Sequence, residues 1–156
     1  VCLTVAHLDG LVLARSGFHH SANYRSAMCF GTAHIIDDPQ EKAEALKAVV
    51  DRFYPGRTDV LRENDPQEAK GTMVIGMRIE EASAKVRSGG VSDDPADVDA
   101  PVWAGVIPVE TRLRAPEICP KVPEGVAFPD HLAHFTEGRR LDEVLTESQV
   151  LYEKRA

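Results

Sequence analysis

Hydrophobic positions change period several times along the chain, and each change marks an element. Val1, Leu3 and Val5 alternate with their neighbours as a strand requires, over Val1 to Ala6. Leu8-Asp9-Gly10 reads as a hairpin turn, since Asp-Gly suits a tight two-residue loop, and Leu11 to Arg15 as the returning strand. A long strand is predicted over Tyr24 to Ile36. Tyr24, Met28, Phe30 and Ile36 share one face, and Ala27, Cys29, Gly31 and Ala33 the other. Small residues opposite bulky ones suit a curved sheet. The period then becomes helical. Asp38 is placed to cap, Pro39 suits the first helical position, and Glu41 completes a capping box. Ala43, Leu46, Val50 and Phe53 recur at helical spacing until Pro55-Gly56 stops the run.

A second Asp-Pro-Gln-Glu, Asp65 to Glu68, predicts a shorter helix. Met73, Ile75, Met77 and Ile79 alternate with Val74, Gly76, Arg78 and Glu80, the cleanest strand pattern in the chain. Its continuation ends in a glycine turn at Gly89-Gly90, before an acidic, solvated loop "VSDDPADVD". "VWAGVIPVETRL" is another strand. Pro116 to Pro129 is proline-rich and irregular. Leu141, Val144, Leu145, Ser148 and Tyr152 predict an amphipathic terminal helix with little core of its own to join, suited to packing on a partner. Strands, helix, strands, helix make an α+β domain around an antiparallel sheet.

Composition narrows the classes. The chain has 156 residues, 43% hydrophobic and 28% charged, enough for one domain with a core. A formal charge of −7 argues against a nucleic-acid coat, and the apolar runs are too short to span a bilayer. Three widely spaced cysteines, Cys2, Cys29 and Cys119, without a CxxC pair, argue against a disulfide framework or structural zinc. They read as small buried thiols in a reducing cytoplasm. The chain opens inside a strand, without a Met or a signal pattern, and is expected to be a fragment.

Most of the candidate chemistry lies in "FHHSANYRS", residues 18 to 26. His19 and His20 are adjacent, so on a strand they face opposite sides, poor spacing for a metal. His131 and His134 are three apart without a Glu between them. Ser21 with His20 makes a conceivable nucleophile–base pair, but no nucleophile elbow frames the serine. A polar strand end with satisfied hydrogen bonds is the plain alternative. The remaining reading is a wall for a flat, phosphorylated ligand. Ser21 and Asn23 hydrogen-bond ring edges, Tyr24 or a histidine stacks, and Arg25 forks to phosphate. Lys85 and Arg87 share a strand face just before Gly89-Gly90, whose amides suit an anion, although a solvated basic edge reads equally well. Trp103 is the single tryptophan, and core packing is its alternative role.

"LDGLVLARSGFHHSANYRSAMCFGTAHIIDD", "IEEASAKVRSGG" and "PVWAGVIPV" together resemble the pyridoxamine 5'-phosphate oxidase-like flavoproteins, in the branch of the nitroimidazole-resistance proteins. The resemblance implies an antiparallel split β-barrel, lacking its first strands here, with flanking helices. Residues 1–132 match the C-terminal portion of the FMN-binding domain, and 133–156 form a helical tail. It also implies a cytoplasmic homodimer with FMN at the interface, no nucleic-acid or membrane partner, and no metal. Ser21, Asn23, Tyr24, Arg25, Lys85, Arg87 and Trp103 are the implied cofactor-binding residues. The oxidases' Arg-Leu-His-x-Arg segment is matched only by Thr111-Arg112-Leu113-Arg114, without the histidine, so vitamin-B6 oxidation is not implied. The expectation is an FMN-dependent oxidoreductase of a small molecule, with His20 as the catalytic proton donor. The alternative is a flavin, deazaflavin or heme carrier without turnover.

Overall fold

The computed structural model describes residues 1–155. Four strands form one antiparallel sheet in the order β3-β2-β1-β4: β1 Cys2–Leu13, β2 Ser21–Ile35, β3 Ile75–Arg87 and β4 Gly105–Pro108. Three helices accompany it: α1 Pro39–Phe53, α2 Pro66–Gly71 and α3 Leu141–Glu153. The α+β expectation holds. The chain divides into two compact units. The first comprises Val1–Ala33 and Met77–Glu110; the second comprises His34–Gly76 and the chain from Thr111 onward.

In the first unit, the expected hairpin at Leu8-Asp9-Gly10 is replaced by one continuous strand. β1 pairs with β2 from Cys2↔Phe30 to Leu8↔Tyr24, and again from Gly10↔Asn23 to Val12↔Ser21. Asp9 is the extra residue of a β-bulge. A type I′ turn needs positive φ at both central residues. Among the described residues only Gly56, Gly125 and Gly138 have positive φ, so Asp9-Gly10 cannot turn the chain. The 15-residue β2 templates both halves of β1 instead.

The bulge switches parity. Leu3, Val5 and His7 share a face with Gly10 and Val12 rather than with Leu11, opposite Cys29, Ala27, Arg25, Asn23 and Ser21. The two predicted faces of β2 match this register. β4 is much shorter than expected, pairing only Gly105 to Pro108 with β1. Two glycines allow close approach. A Cβ on Gly10 would lie 3.1 Å from Val106 Cγ1, and one on Gly31 only 2.0 Å from the carbonyl oxygen of Arg78. Val12 and Ala14 are buried, but Leu3 is 58% exposed, and Val5, Leu8, Leu11, Phe30 and Ile79 are exposed with it.

In the second unit the helix starts are as predicted. Asp38 accepts from the Glu41 amide at 2.8 Å, one half of a capping box. The complete box is at α2, where Asp65 and Glu68 cap reciprocally. Hydrogen bonds from Arg62, then from the Asp65 amide, pull the Glu68 carboxyl down to about 2. Gly56, with φ of 80°, ends the α1 region. Buried Asp51 then accepts from the amide and hydroxyl of Thr58. Burial pushes its carboxyl up, but these bonds, with Lys47 and Arg155, outweigh that and leave it below the usual range.

The expectation that the terminal helix lacks a core is corrected, because α3 packs on α1 and fully buries Val144 and Ser148. Its entry is pinned by Leu113 N–H to Arg139 O at 3.0 Å and Leu141 N–H to Thr111 O at 2.9 Å. His134 Nε2 lies 2.8 Å from Ser148 Oγ. The thiols are also corrected: Cys2 and Cys119 are exposed rather than buried. No helix among the described residues is long and apolar enough to cross a membrane.

Candidate functional site

The polar cluster of the first unit grows from the start of β2. A 3-10 turn, Gly17–His19, carries the chain from β1 into β2. His20 follows it, exposed, with Nδ1 2.9 Å from the carbonyl oxygen of Ser16. A carbonyl only accepts, so Nδ1 carries the hydrogen and Nε2 is left for other partners. Ser21 opens β2 and is exposed.

Asn23, 9% exposed, is the centre of the cluster. Its Nδ2 donates to Gly89 O at 3.0 Å, and its Oδ1 accepts from Arg87 Nη1 at 2.6 Å. Arg87 Nη1 also reaches Ala22 O at 3.4 Å. One amide side chain thus ties the end of β3 and the glycine segment to the start of β2. Nothing lies within 4 Å of a Cβ built on Gly90, and only the tip of Arg87 at 4.0 Å from one on Gly89, so this backbone is open to approach.

Arg25 is engaged by the bulge. Its Nε and Nη2 donate to the two carboxylate oxygens of Asp9 at 2.9 and 2.8 Å, a bidentate fork. The bulge aims that carboxylate, and the Asp9 carbonyl accepts from Val109 N–H at 3.0 Å. The structure therefore brings Asn23 and Arg87 into contact and gives Arg25 an internal counter-ion. Tyr24 is on the opposite face of β2 from Ser21, Asn23 and Arg25. Lys85 is exposed two residues before Arg87. Trp103 is 65% exposed, so core packing is not its role; its indole lies where a Cβ on Gly105 would be 2.9 Å from it.

Three residues of this region were missed by sequence reasoning. Arg15 donates from its amide to Asp93 Oδ1 at 2.8 Å and from Nη1 to Oδ2 at 2.6 Å. The Asp93 side chain is 3% exposed, so the acidic loop is not wholly solvated as expected. The Arg15 amide hydrogen bond holds the Asp93 carboxyl below its ordinary value; burial opposes this, and the guanidinium reinforces it. Asp94 adds a contact to His19 at 3.3 Å. Arg15 Nε is buried without a hydrogen-bond partner. The third missed residue is Asp9, read as a turn residue. Among the described residues, no group of three or more His, Cys, Asp or Glu is placed to hold a metal.

Comparison with known proteins places the chain. The family model described as pyridoxamine 5'-phosphate oxidase matches residues 1–86. Among curated proteins, none matches. The flavocytochrome Anf3 from Azotobacter vinelandii is similar in structure, with a TM-score of 0.80 and 42% identity over 88% of this chain; the match spans 64% of that protein. The FAD and heme binding protein from Mycobacterium smegmatis superposes with a TM-score of 0.77 and 37% identity, over 87% of this chain and 67% of its own. The sheet, the helices and these likenesses agree on the split-barrel α+β fold. With more than half of its residues matched by that family model, the chain belongs to the pyridoxamine 5'-phosphate oxidase family.

Proposed function

We propose that this chain is the flavin-binding part of an oxidoreductase acting on a small molecule, and that it works as a homodimer. The observation that carries the reading is its 37% identity, over 87% of its length, to a protein described as binding FAD and heme. Local chemistry fits. An orphaned Arg15 Nε, the open Gly89-Gly90 backbone and the remaining donors of Arg87 are features that an anionic, hydrogen-bonding ligand satisfies. Ser21, Asn23, Arg87 and Lys85 would hold it, and Trp103 offers an exposed aromatic face. A bound flavin supplies the two-electron redox chemistry. The chain's part is to orient, to shield from water and to move protons. His20 serves as the substrate-side donor through Nε2 when protonated, because Nδ1 is tied to Ser16.

FMN is the flavin that the family resemblance implies, and the mycobacterial neighbour raises FAD beside it. The same neighbour favours one second reading, a heme carrier. The exposed Leu8, Leu11 and Phe30, which share one face of the sheet, support the homodimer, since a second copy would cover them. The test is the absorption spectrum of the purified protein, with mass spectrometry of the released cofactor. A flavin band bleached by NADPH supports the oxidoreductase, and the mass separates FMN from FAD. A Soret band without flavin moves the assignment to the carrier.

A further inference from the structure

We propose that the second unit carries its own small-molecule site, for an amphipathic carboxylate: one anionic head on a flat apolar body. The proposal goes beyond the flavin reading, and every residue it uses belongs to the second unit.

That unit contains a concavity of about 700 Å³, within the range of small-molecule sites. Tyr54, Ile118, Val126, Phe128 and Leu132 supply apolar and aromatic walls, and Arg57 supplies a cation. A hollow of about 250 Å³ adjoins it and shares Tyr54, Phe128 and Leu132. Tyr54 is braced from behind by Phe135, ring centroids 5.8 Å apart. The proline-rich stretch from Pro116 to Pro129 forms much of the wall. It has no helix or strand, yet Ile118, Val126 and Phe128 stand exposed on it. Prolines fix such a backbone at low entropic cost, which suits a preformed wall better than a passive connection.

Arg57 decides the ligand's charge. It is half-buried, and among the described residues its guanidinium has no hydrogen-bond or carboxylate partner. Four other arginines of this unit are paired: Arg62 with Glu68, Arg139 with Glu147, Arg140 with Asp142 and Arg155 with Asp59. Arg114, which lines the adjoining hollow, adds a second positive charge but is exposed, so solvent screens it more than half-buried Arg57. The backbone of Arg57 is held firmly. Gly56 precedes it in the left-handed conformation, its own amide donates to Tyr54 O at 2.9 Å, and Thr58 after it is bound to Asp51. A cation fixed at the wall of an apolar hollow, without an internal counter-ion, selects an anion that brings its own apolar body. Glu117 also lines the site, but it is exposed, so solvent screens its repulsion.

The test titrates the full-length chain with 2-naphthoate, with 2-naphthylmethanol as the uncharged counterpart. The expected result is saturable binding of one naphthoate per chain, with the alcohol at least about tenfold weaker. Arg57→Gln should lower naphthoate affinity by about tenfold or more, to the level of the alcohol, and leave alcohol binding and the thermal melt unchanged. Phe128→Ala should weaken both ligands, and Glu117→Gln should strengthen naphthoate about twofold. Flavin content should not change in any of these variants. Equal affinity for acid and alcohol, an Arg57→Gln variant that binds like wild type, or no saturation at millimolar ligand would overturn the proposal. So would displacement of bound flavin by naphthoate, which would move the ligand to the first unit's cluster.

Discussion

Replacing Gly31 by alanine should separate β3 from β2 and, with it, dismantle the polar cluster eight residues away at Asn23. The added Cβ would sit 2.0 Å from the Arg78 carbonyl oxygen, 2.9 Å from its carbonyl carbon and 3.2 Å from Ile79 Cα. Carbon and oxygen of neighbouring strands come no closer than about 3.3 Å, so the backbone must retreat by more than about 1 Å or give up its pairing. Overpacking of this kind costs about 1–3 kcal/mol, and two lost ladder hydrogen bonds add about 0.5–1.5 kcal/mol each. Alanine returns about 0.4–1 kcal/mol by restricting the unfolded chain. The centre of these ranges is a net loss of about 3 kcal/mol, which lowers the urea midpoint by about 1.5 M at an m-value of about 2 kcal/mol/M. Two controls give the argument its contrast. A Cβ on Gly17 meets nothing within 4 Å, so Gly17→Ala should be neutral or slightly stabilising. A Cβ on Gly76 meets only the His34 ring, at 2.6 Å, and that side chain can rotate away for less than about 1 kcal/mol. Urea melts followed by far-UV circular dichroism read all three. If Gly31→Ala unfolds within about 0.5 kcal/mol of wild type, or all three variants behave alike, the close approach of β2 and β3 is wrong.

The Asn23–Arg87 bond should show as a coupling of about 1.5 kcal/mol in a double-mutant cycle of Asn23→Ala and Arg87→Ala, with cofactor occupancy reduced in each single variant; strict additivity would remove the latch. Burial holds the His134 imidazole below its ordinary value, with Glu147 opposing and Arg139 and His131 reinforcing. The unfolded chain therefore takes that proton at higher pH than the folded one. The stability from neutral His134 is complete above about pH 6.5 and is lost as the pH falls through the folded value. Urea midpoints should thus drop between about pH 7.5 and about pH 5.5, and His134→Gln should flatten that drop; an unchanged slope in the variant would clear His134. Sedimentation of the protein at micromolar concentration should give twice the monomer mass, and a flavin-loaded monomer would refute the homodimer.

What was legible in the sequence was local. Asp38, Pro39, Asp65 and Glu68 announce helix starts within four residues, so α1 and α2 were found with their caps. The faces of β2 were readable because alternation persists over the whole strand. Asp9-Gly10 misled because hairpin and bulge use the same dipeptide; only the partner strand decides which one forms. Arg15 and Asp93 lie 78 positions apart, and no pattern along the chain links them. Nor could sequence show that Arg25, read as a phosphate fork, already meets a carboxylate from β1. The packing of α3 on α1 escaped for a related reason. An amphipathic stripe declares that something covers it, and does not say what.

The bulge at Asp9 behaves like a spare letter in a reading frame. Without Asp9, Leu8 would stand next to Gly10, and the ladder Leu8↔Tyr24, Gly10↔Asn23 would run on with every pairing intact. The sheet does not need that residue, unlike most residues of a paired strand. Its loss would fall on contacts that include the carboxylate on Arg25 and the carbonyl that receives Val109 N–H. A one-residue deletion at this point is therefore closer to a side-chain substitution than to a frameshift. It would remove the bidentate fork from the Arg25 guanidinium while leaving the scaffold in register. The fold thus contains a place where one residue and one ion pair can be lost in a single event that leaves the strand pairing unchanged.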